Sequence, residues 1–138
     1  MVKYELIDHT ADIGIRVKGG SLKDLFRNAG LAIFQIIAEK KKIKNTKPHN
    51  LAIVQEADNL EELLINWLNE LISLSSAKGL IFEDLRIKKI NQKRLEAVAV
   101  ASNINNYKVN TEIKAATYHQ LKIAKKAGGW QAEVILDV

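Results

Sequence analysis

The sequence contains no cysteine. This absence excludes disulfide bonds, thiolate metal sites and a cysteine nucleophile, and it is typical of proteins of the reducing cytoplasm. No apolar run reaches the roughly 18 residues that a membrane-spanning helix needs. The first residues also lack the basic and then apolar pattern of a signal peptide. We therefore expect a cytoplasmic protein that has no membrane partner.

Signatures of nucleotide binding and of common catalytic centres are also missing. The sequence has no Walker loop, no Gly-x-Gly-x-x-Gly motif and no serine within a nucleophile elbow. Its three histidines do not show the close spacing of a zinc site. The sequence itself therefore offers no strong catalytic set.

Lysine is the residue type that the chain has in excess. The net charge is +5, and only four of the 21 basic residues are arginine. The guanidinium group matches phosphates and base edges better than an ammonium group does. A lysine-rich surface therefore favours a solvated exterior over direct nucleic-acid binding. A salt-dependent shift of labelled RNA by the isolated protein would separate the two interpretations.

Apolar residues at helical spacing predict two long amphipathic helices. The first follows an N-cap at Ser21 and runs into the lysine-rich segment 39–44, whose cations we expect at the negative end of the helix dipole. The second begins at an Asp58 cap with Glu61 at the third helical position. It stops at Lys78-Gly79. Its apolar stripe, which we expect in the core, consists of Leu60, Leu63, Leu64, Trp67, Leu68, Leu71 and Ile72.

Alternating apolar and polar residues predict strands on both sides of these helices. The predicted strands cover residues 4–7, 13–17, 51–54, 80–90, 95–101, 109–123 and 130–138. Their order is β-β-α-β-α followed by a four-strand meander. This order predicts an α+β fold, a two-layer sandwich in which the two helices cover one face of a mainly antiparallel sheet. No repeat or linker interrupts the chain, so we expect residues 1–138 to form a single domain.

Acidic residues lie near both ends of the chain. Asp8, His9 and Asp12 fall at the turn between the first two strands, and Asp137 and Val138 close the last strand. An aspartate in such a turn often accepts backbone N–H bonds, which explains one of these aspartates but not readily both. If the fold brings the two ends together, their oxygen atoms favour calcium or magnesium over zinc.

Strand parity places the candidate side chains on faces of the predicted sheet. Asp137 either falls on the face turned away from the helices or emerges where the strand ends, and a hairpin through Gly128-Gly129 would set it opposite residues 117–122. His119 shares the apolar face of its strand, which favours a hydrogen-bonded and partly buried histidine. Lys114 lies on the polar face, which favours plain solvation.

Three segments of the chain resemble the archease family. They are Asp8-His9-Thr10-Ala11-Asp12, residues 112–119 and the ending at residues 130–138, and the likeness extends over the whole length and element order. The resemblance implies a non-enzymatic accessory protein that activates an RtcB-type tRNA-splicing ligase. Such a protein promotes guanylylation and multiple turnover of the ligase and broadens its use of nucleoside triphosphates. The protein would then act on tRNA or other RNA indirectly, through the ligase.

The resemblance also implies a divalent metal site and a set of partner contacts. The metal is calcium in the family, with magnesium or manganese as the alternatives in the cell. Carried over to this sequence, its ligands are Asp12, Asp137 and Val138, the last through a backbone or terminal carboxylate oxygen. The residues implied in function or in contact with the ligase are Asp8, His9, Lys114 and His119.

Other functions stay open from the sequence. Archease-like proteins are also suggested to act as modulators or chaperones of tRNA or RNA methyltransferases. A small magnesium-dependent phosphoesterase would use Asp8, Asp12 and Asp137, but the general base and the phosphate loop are missing. A modest RNA chaperone would rest on the lysine-rich surface. Hydrolysis by the purified protein would identify the phosphoesterase, and no motif determines the oligomeric state.

Overall fold

A computed structural model describes residues 2–7, 11–41 and 47–138, and these residues form a mixed α+β fold. Their two helices are α1 (Leu22–Ile37) and α2 (Leu60–Lys78). Their nine strands are β1 (Glu5–Ile7), β2 (Ile13–Gly19), β3 (Ala38–Lys40), β4 (His49–Glu56), β5 (Leu80–Ile90), β6 (Arg94–Asn103), β7 (Tyr107–Val109), β8 (Ala115–Lys126) and β9 (Gly129–Asp137). The predicted α+β class is confirmed at this level.

Within the described residues the strands pair into three antiparallel sheets. Sheet A has the order β1-β2-β9-β8, sheet B has the order β4-β6-β5, and β3 and β7 form a separate ribbon. The predicted single sheet with a four-strand meander is therefore wrong. After β6 a short 3₁₀ helix (Ile104–Asn106) redirects the chain, and β7 pairs with β3 before the chain enters sheet A. The placement of both helices on one face of a two-layer sandwich stays a prediction.

The apolar faces of both helices enter a continuous core, as the helical spacing predicts. The indole Nε1 of fully buried Trp67 donates a hydrogen bond to the Phe26 carbonyl oxygen at 2.9 Å. At Gly30 the helix approaches its neighbours closely, since an added Cβ would lie 2.5 Å from Leu85 Cδ1. All seven predicted core residues of α2 are buried, namely Leu60, Leu63, Leu64, Trp67, Leu68, Leu71 and Ile72. No helix in the described ranges is long and apolar enough to cross a membrane.

The start of α1 follows the prediction, but its end does not. The Ser21 hydroxyl caps the helix by accepting a hydrogen bond from the Asp24 backbone N–H at 3.1 Å. The helix stops at Ile37 because the next three residues form β3. Lys40 consequently pairs with Glu83 at 2.9 Å, and no basic residue lies in the last turn of the helix. The rest of the lysine run, residues 42–44, lies outside the described residues.

The boundaries of α2 require one correction. Asn59, and not Asp58, is the N-cap, since its side-chain oxygen accepts a hydrogen bond from the Glu62 backbone N–H at 2.8 Å. The predicted stop is confirmed. Gly79 adopts the left-handed conformation with a φ of 64°, which glycine adopts without steric cost.

The predicted strand at 109–123 is wrong at both ends. Residues 110–114 have no regular structure, and β8 begins at Ala115. Between the pairs Thr117–Ile135 and Lys122–Glu133, the four residues 118–121 stand opposite one residue of β9. This bulge shifts the register of the C-terminal hairpin. Asp137 therefore pairs with Ala115 and not with residues 117–122.

Candidate functional site

The antiparallel pairing of β2 with β9 brings the two ends of the chain to the same end of sheet A. Ile13 pairs with Leu136, so Asp12 immediately precedes and Asp137 immediately follows this pair. The pairing of Asp137 with Ala115 adds Lys114 to the same place. We call this group, Asp12, Lys114, Asp137 and Val138, the tip. The fold thus brings the two ends of the chain together at Asp12 and Asp137, which is the condition that the sequence left open.

A backbone contact holds the tip, in which Lys114, Asp137 and Val138 are exposed and Asp12 is half-buried. The Lys114 backbone N–H donates to the Asp137 carbonyl oxygen at 2.8 Å. The adjacent Leu136 is fully buried, whereas Asp137 and Lys114 are exposed. Asp137 therefore lies off the core face, as strand parity predicts, whereas Lys114 is exposed on the irregular segment before β8. A firmly paired strand end presents an accessible carboxylate.

Asn69 of α2 is a positioning residue that the sequence reasoning missed. Its side-chain nitrogen donates to the Ala116 carbonyl oxygen at 3.1 Å, and its side-chain oxygen accepts from the Ala116 backbone N–H at 2.8 Å. Ala116 is one residue beyond the partner of Asp137 on β8. The signal that could have identified it is the position of Asn69 in the sequence, a polar residue close to two predicted core residues, Leu68 and Leu71. Its two hydrogen bonds fix β8 to the helix beside the tip.

The bulge in β8 lies next to the tip and exposes three consecutive side chains. Tyr118 is 57% exposed, His119 and Gln120 are also exposed, and Gln120 has a φ of 54°. The prediction of a partly buried His119 is wrong because the bulge breaks the alternation on which it relied. Bulges and left-handed residues other than glycine often occur beside functional sites.

The donor chemistry of the tip fits a hard cation. Asp12 and Asp137 supply two carboxylates, and Val138 supplies further oxygen atoms. Such a set suits calcium or magnesium better than zinc. Asp8 and His9 lie outside the described residues. Within the described ranges no group of three or more histidine, aspartate or glutamate side chains is placed to hold a metal.

A separate set of coupled titratable groups ties the β3–β7 ribbon to sheet B. The Tyr107 hydroxyl donates to the Glu83 carboxylate, which Lys40 also contacts at 2.9 Å. Burial acts to raise the pKa of Glu83, but the hydrogen bonds from Tyr107 and Lys40 together hold this pKa below its usual value. Burial and the Glu83 carboxylate raise the pKa of Tyr107. These contacts stabilise the fold and do not belong to the tip.

Comparison with known proteins gives one consistent family. The model of the archease protein family (MTH1598/TM1083) matches residues 4–138. The archease of Pyrococcus furiosus is 36% identical, and the match covers 100% of both chains. The archease of Methanosarcina barkeri is 35% identical, and the match covers 99% of this chain and 96% of that protein.

Two solved structures share the fold. The solution structure of Methanobacterium thermoautotrophicum protein 1598 is 28% identical with a TM-score of 0.72, and the match covers 98% of each chain. The crystal structure of a Thermotoga maritima archease, described as a possible chaperone, has a TM-score of 0.68. That protein is 24% identical, and the match covers 97% of this chain and 96% of the other.

Proposed function

Since the chain belongs to the archease family, we propose that it is a non-enzymatic activator of an RtcB-type tRNA-splicing ligase. In this role it promotes guanylylation of the ligase, supports multiple turnover and broadens the use of nucleoside triphosphates. The observation that carries the proposal is the β2–β9 pairing, which sets Asp12 and Asp137 side by side at an exposed strand end. An accessory protein must present its functional groups outward, and the tip does so.

The proposed metal ligands are Asp12, Asp137 and oxygen atoms of Val138, with calcium as the cation and magnesium or manganese as alternatives in the cell. The exposed Asp137 and the half-buried Asp12 supply the carboxylates. A bound cation would offset the repulsion between these carboxylates and neutralise charge on a nearby phosphate. The Lys114 backbone N–H, by holding the Asp137 carbonyl at 2.8 Å, keeps the strand end in position.

Contacts with the ligase are assigned to two described residues, Lys114 and His119, and to Asp8 and His9, which lie outside the described residues. Lys114 and His119 are exposed on the segment that leads into β8 and on its bulge, where a partner can reach them. Asp8 and His9 complete the proposed contact set from the other end of the chain. Binding of this set to one state of the ligase would shift it toward the conformation that accepts a new guanylyl group.

The test is guanylylation of the cognate ligase, measured in a single turnover and then as multiple-turnover ligation. We expect the wild-type protein to stimulate both reactions. Asp12→Asn and Asp137→Asn remove ligand charge and should each abolish most of the stimulation. Asp58→Asn makes the same change at an exposed aspartate before α2, so this control should stimulate like the wild type.

Two outcomes would contradict the proposal at different points. If the wild-type protein leaves both reactions unchanged, the ligase is not its partner. If the wild type stimulates but Asp12→Asn and Asp137→Asn do so equally well, the tip is not the active part. Calorimetric titration with calcium provides an independent readout, in which Asp137→Asn should weaken binding by about 10–100-fold or more.

A chaperone function is the second candidate, because the structurally similar Thermotoga maritima protein is described as a possible chaperone. In this chain the corresponding activity would be modulation of a tRNA or RNA methyltransferase. It would be measured as suppression of methyltransferase aggregation or as altered site choice on tRNA. Suppression that persists in Asp137→Asn would assign this activity to a surface other than the tip.

A further inference from the structure

The end of sheet A opposite the tip carries two adjoining grooves, with volumes of about 770 and 820 Å³. Both are lined by Lys18 and Asn28. Lys18 pairs with Gln131, five residues along the strands from the Ile13–Leu136 pair. At about 3.3 Å per residue along β2, Lys18 lies roughly 20 Å from Asp12 of the tip, and Arg16, which lines the second groove, lies roughly 13 Å from it. The grooves form a surface that the proposed function does not use.

The linings of the two grooves contain more basic than acidic residues, and we call the grooves together the basic groove. Its basic residues are Lys3, Arg16, Lys18, Arg27 and Lys126, against two carboxylates, Glu5 and Asp24. The basic residues therefore outnumber the carboxylates of the lining, and Lys3, Lys18 and Lys126 distribute positive charge along the groove. This distribution suits an extended polyanion better than a single small anion.

The arginines and the lysines of the basic groove differ in their partners. Arg16 pairs with Glu133 at 2.7 Å and Glu5 at 3.0 Å, and Arg27 pairs with Asp84 at 3.0 Å. Lys3, Lys18 and Lys126 are exposed. None of these three lysines forms an ion pair with a carboxylate in the described part of the chain. Their charge is therefore available to a ligand.

Aromatic rings and a bare backbone complete the groove. Half-buried Tyr4 lines one part and half-buried Trp130 lines the other. The Lys125 ammonium lies 5.8 Å from the centre of the Trp130 ring. Gly129 has a φ of 155°, and a Cβ there would lie 2.3 Å from the Gly19 carbonyl oxygen. Two chain turns thus approach closely and leave a floor without side chains.

We infer that the basic groove binds single-stranded nucleic acid. Lys3, Lys18 and Lys126 would contact the phosphates, and the Trp130 and Tyr4 rings would stack with bases. A cationic groove combined with aromatic rings is the usual arrangement for sequence-tolerant binding of single strands. The start of α1 is not the phosphate site, because Ser21 caps it and Asp24 lies in its first turn.

The test is fluorescence anisotropy of a labelled 12-nucleotide strand of mixed sequence, as RNA and as DNA, from 25 to 200 mM KCl. The test variant is Lys18→Gln/Lys126→Gln. The matched control is Lys88→Gln/Lys89→Gln, which removes two exposed lysines of β5 outside the groove. Circular dichroism melting confirms that all three proteins fold equally.

We expect the wild type and the control to bind and the test variant to bind about tenfold more weakly. Each lost phosphate contact on a single strand lowers the slope of log K against log salt by about 0.7, so the test variant should lose about 1.4. Binding of either the RNA or the DNA supports the inference, and the one that binds more tightly identifies the type of nucleic acid. Binding should also quench Trp130 fluorescence, since Trp67 is fully buried, and Trp130→Phe should remove that signal.

Three results would overturn the inference. The first is no binding of either strand at 25 mM KCl. The second is equal affinity and salt slope for the wild type and Lys18→Gln/Lys126→Gln. The third is an equal loss in Lys88→Gln/Lys89→Gln, which would show a general charge effect with no dedicated groove.

Discussion

The two ends of sheet A are built by the same pair of strands and carry opposite charge. At one end β2 and β9 set Asp12 beside Asp137, and at the other they set Lys18 beside Gln131 and close to Lys126. The separation, roughly 13 Å from Asp12 to Arg16 and roughly 20 Å to Lys18, exceeds the Debye length of about 8 Å at physiological salt. A cation at the tip and a polyanion in the basic groove would therefore bind with little mutual interference. One strand pair can thus serve two kinds of ligand.

The two ends also differ in what holds them in shape. The tip depends on polar contacts, from Asn69 to Ala116 and from Lys114 to Asp137. The basic groove depends on a close approach of glycine backbones, Gly129 against Gly19, and on one hydrogen bond from the Asn28 side-chain nitrogen to the Lys18 carbonyl oxygen at 2.8 Å. Loss of the Asn69 hydrogen bonds should therefore affect the tip, and a side chain added at Gly129 should affect the groove.

The largest expected effect is at the glycine turn of the basic groove. Gly129→Ala places a Cβ 2.3 Å from the Gly19 carbonyl oxygen at a φ of 155°, so we expect a loss of about 3 kcal/mol in the free energy of unfolding. Gly128→Ala is the control, because its φ is 82° but its Cβ would meet no atom within 4 Å. It should cost only about 1 kcal/mol. Equal urea midpoints for the two variants would contradict the close approach.

A smaller effect is expected at the two hydrogen bonds between the Asn69 side chain and the Ala116 backbone, which we call the clamp. Asn69→Ala leaves the Ala116 backbone N–H and C=O without their partner, which should cost about 2 kcal/mol of stability. Calcium affinity should fall although every proposed ligand remains, whereas strand binding in the basic groove should not change. Asn66→Ala removes one exposed hydrogen bond on the same helix and is the control. Unchanged calcium affinity in Asn69→Ala would show that the clamp does not position the tip.

The Tyr107–Glu83 contact belongs to neither end of sheet A. Its loss should therefore lower the stability of the fold without changing ligand binding. Tyr107→Phe removes a hydrogen bond to a carboxylate and should cost about 1.5 kcal/mol, with ligand binding at both ends unchanged. Because the pKa of folded Glu83 lies below the usual 4.5, this contribution is present above pH 4.5 and is lost as pH falls through the folded value. Denaturant unfolding of both proteins at pH 7 and below pH 4 measures it. A stability gap that grows toward low pH would contradict this sign.

The smallest expected effect is on nucleic-acid affinity, and it tests the difference in charge between the basic groove and the tip. Asp24→Asn removes one of the two carboxylates that line the basic groove, and we expect strand affinity to rise two- to threefold, roughly what one surface charge contributes. The Ser21 cap uses the backbone of residue 24, so the helix start is retained. Calcium binding at the tip should stay the same. A fall in strand affinity would place the nucleic acid elsewhere.

Periodicity in the sequence was sufficient for the helices and most strands. Seven apolar residues of α2 were predicted to be buried, and all seven are. The errors arose where tertiary pairing decides the outcome. Residues 38–40 leave the helix because β7 offers a partner strand, and no local pattern records that pairing. The Asn59 cap was missed because Asp58 next to it is an equally good capping residue.

The candidate site was predictable in part. The acidic residues at the two ends and the exposed face of Asp137 follow from position and strand parity. The register of the C-terminal hairpin does not, because the bulge at 118–121 inserts residues that an alternating pattern cannot reveal. The same bulge turns His119 outward. Asn69 and the basic groove depend on elements that are distant in sequence, so only the fold brings them together.

Parallel assays of Asp137→Asn and Lys18→Gln/Lys126→Gln in single-turnover guanylylation of the cognate ligase test the central claim most directly. The account predicts that Asp137→Asn loses the stimulation of guanylylation and that Lys18→Gln/Lys126→Gln retains it. Binding of the labelled RNA or DNA should show the reverse pattern, with Asp137→Asn retaining it and Lys18→Gln/Lys126→Gln losing most of it. Full stimulation by Asp137→Asn would contradict the claim that the tip is the part of the molecule that acts on the ligase.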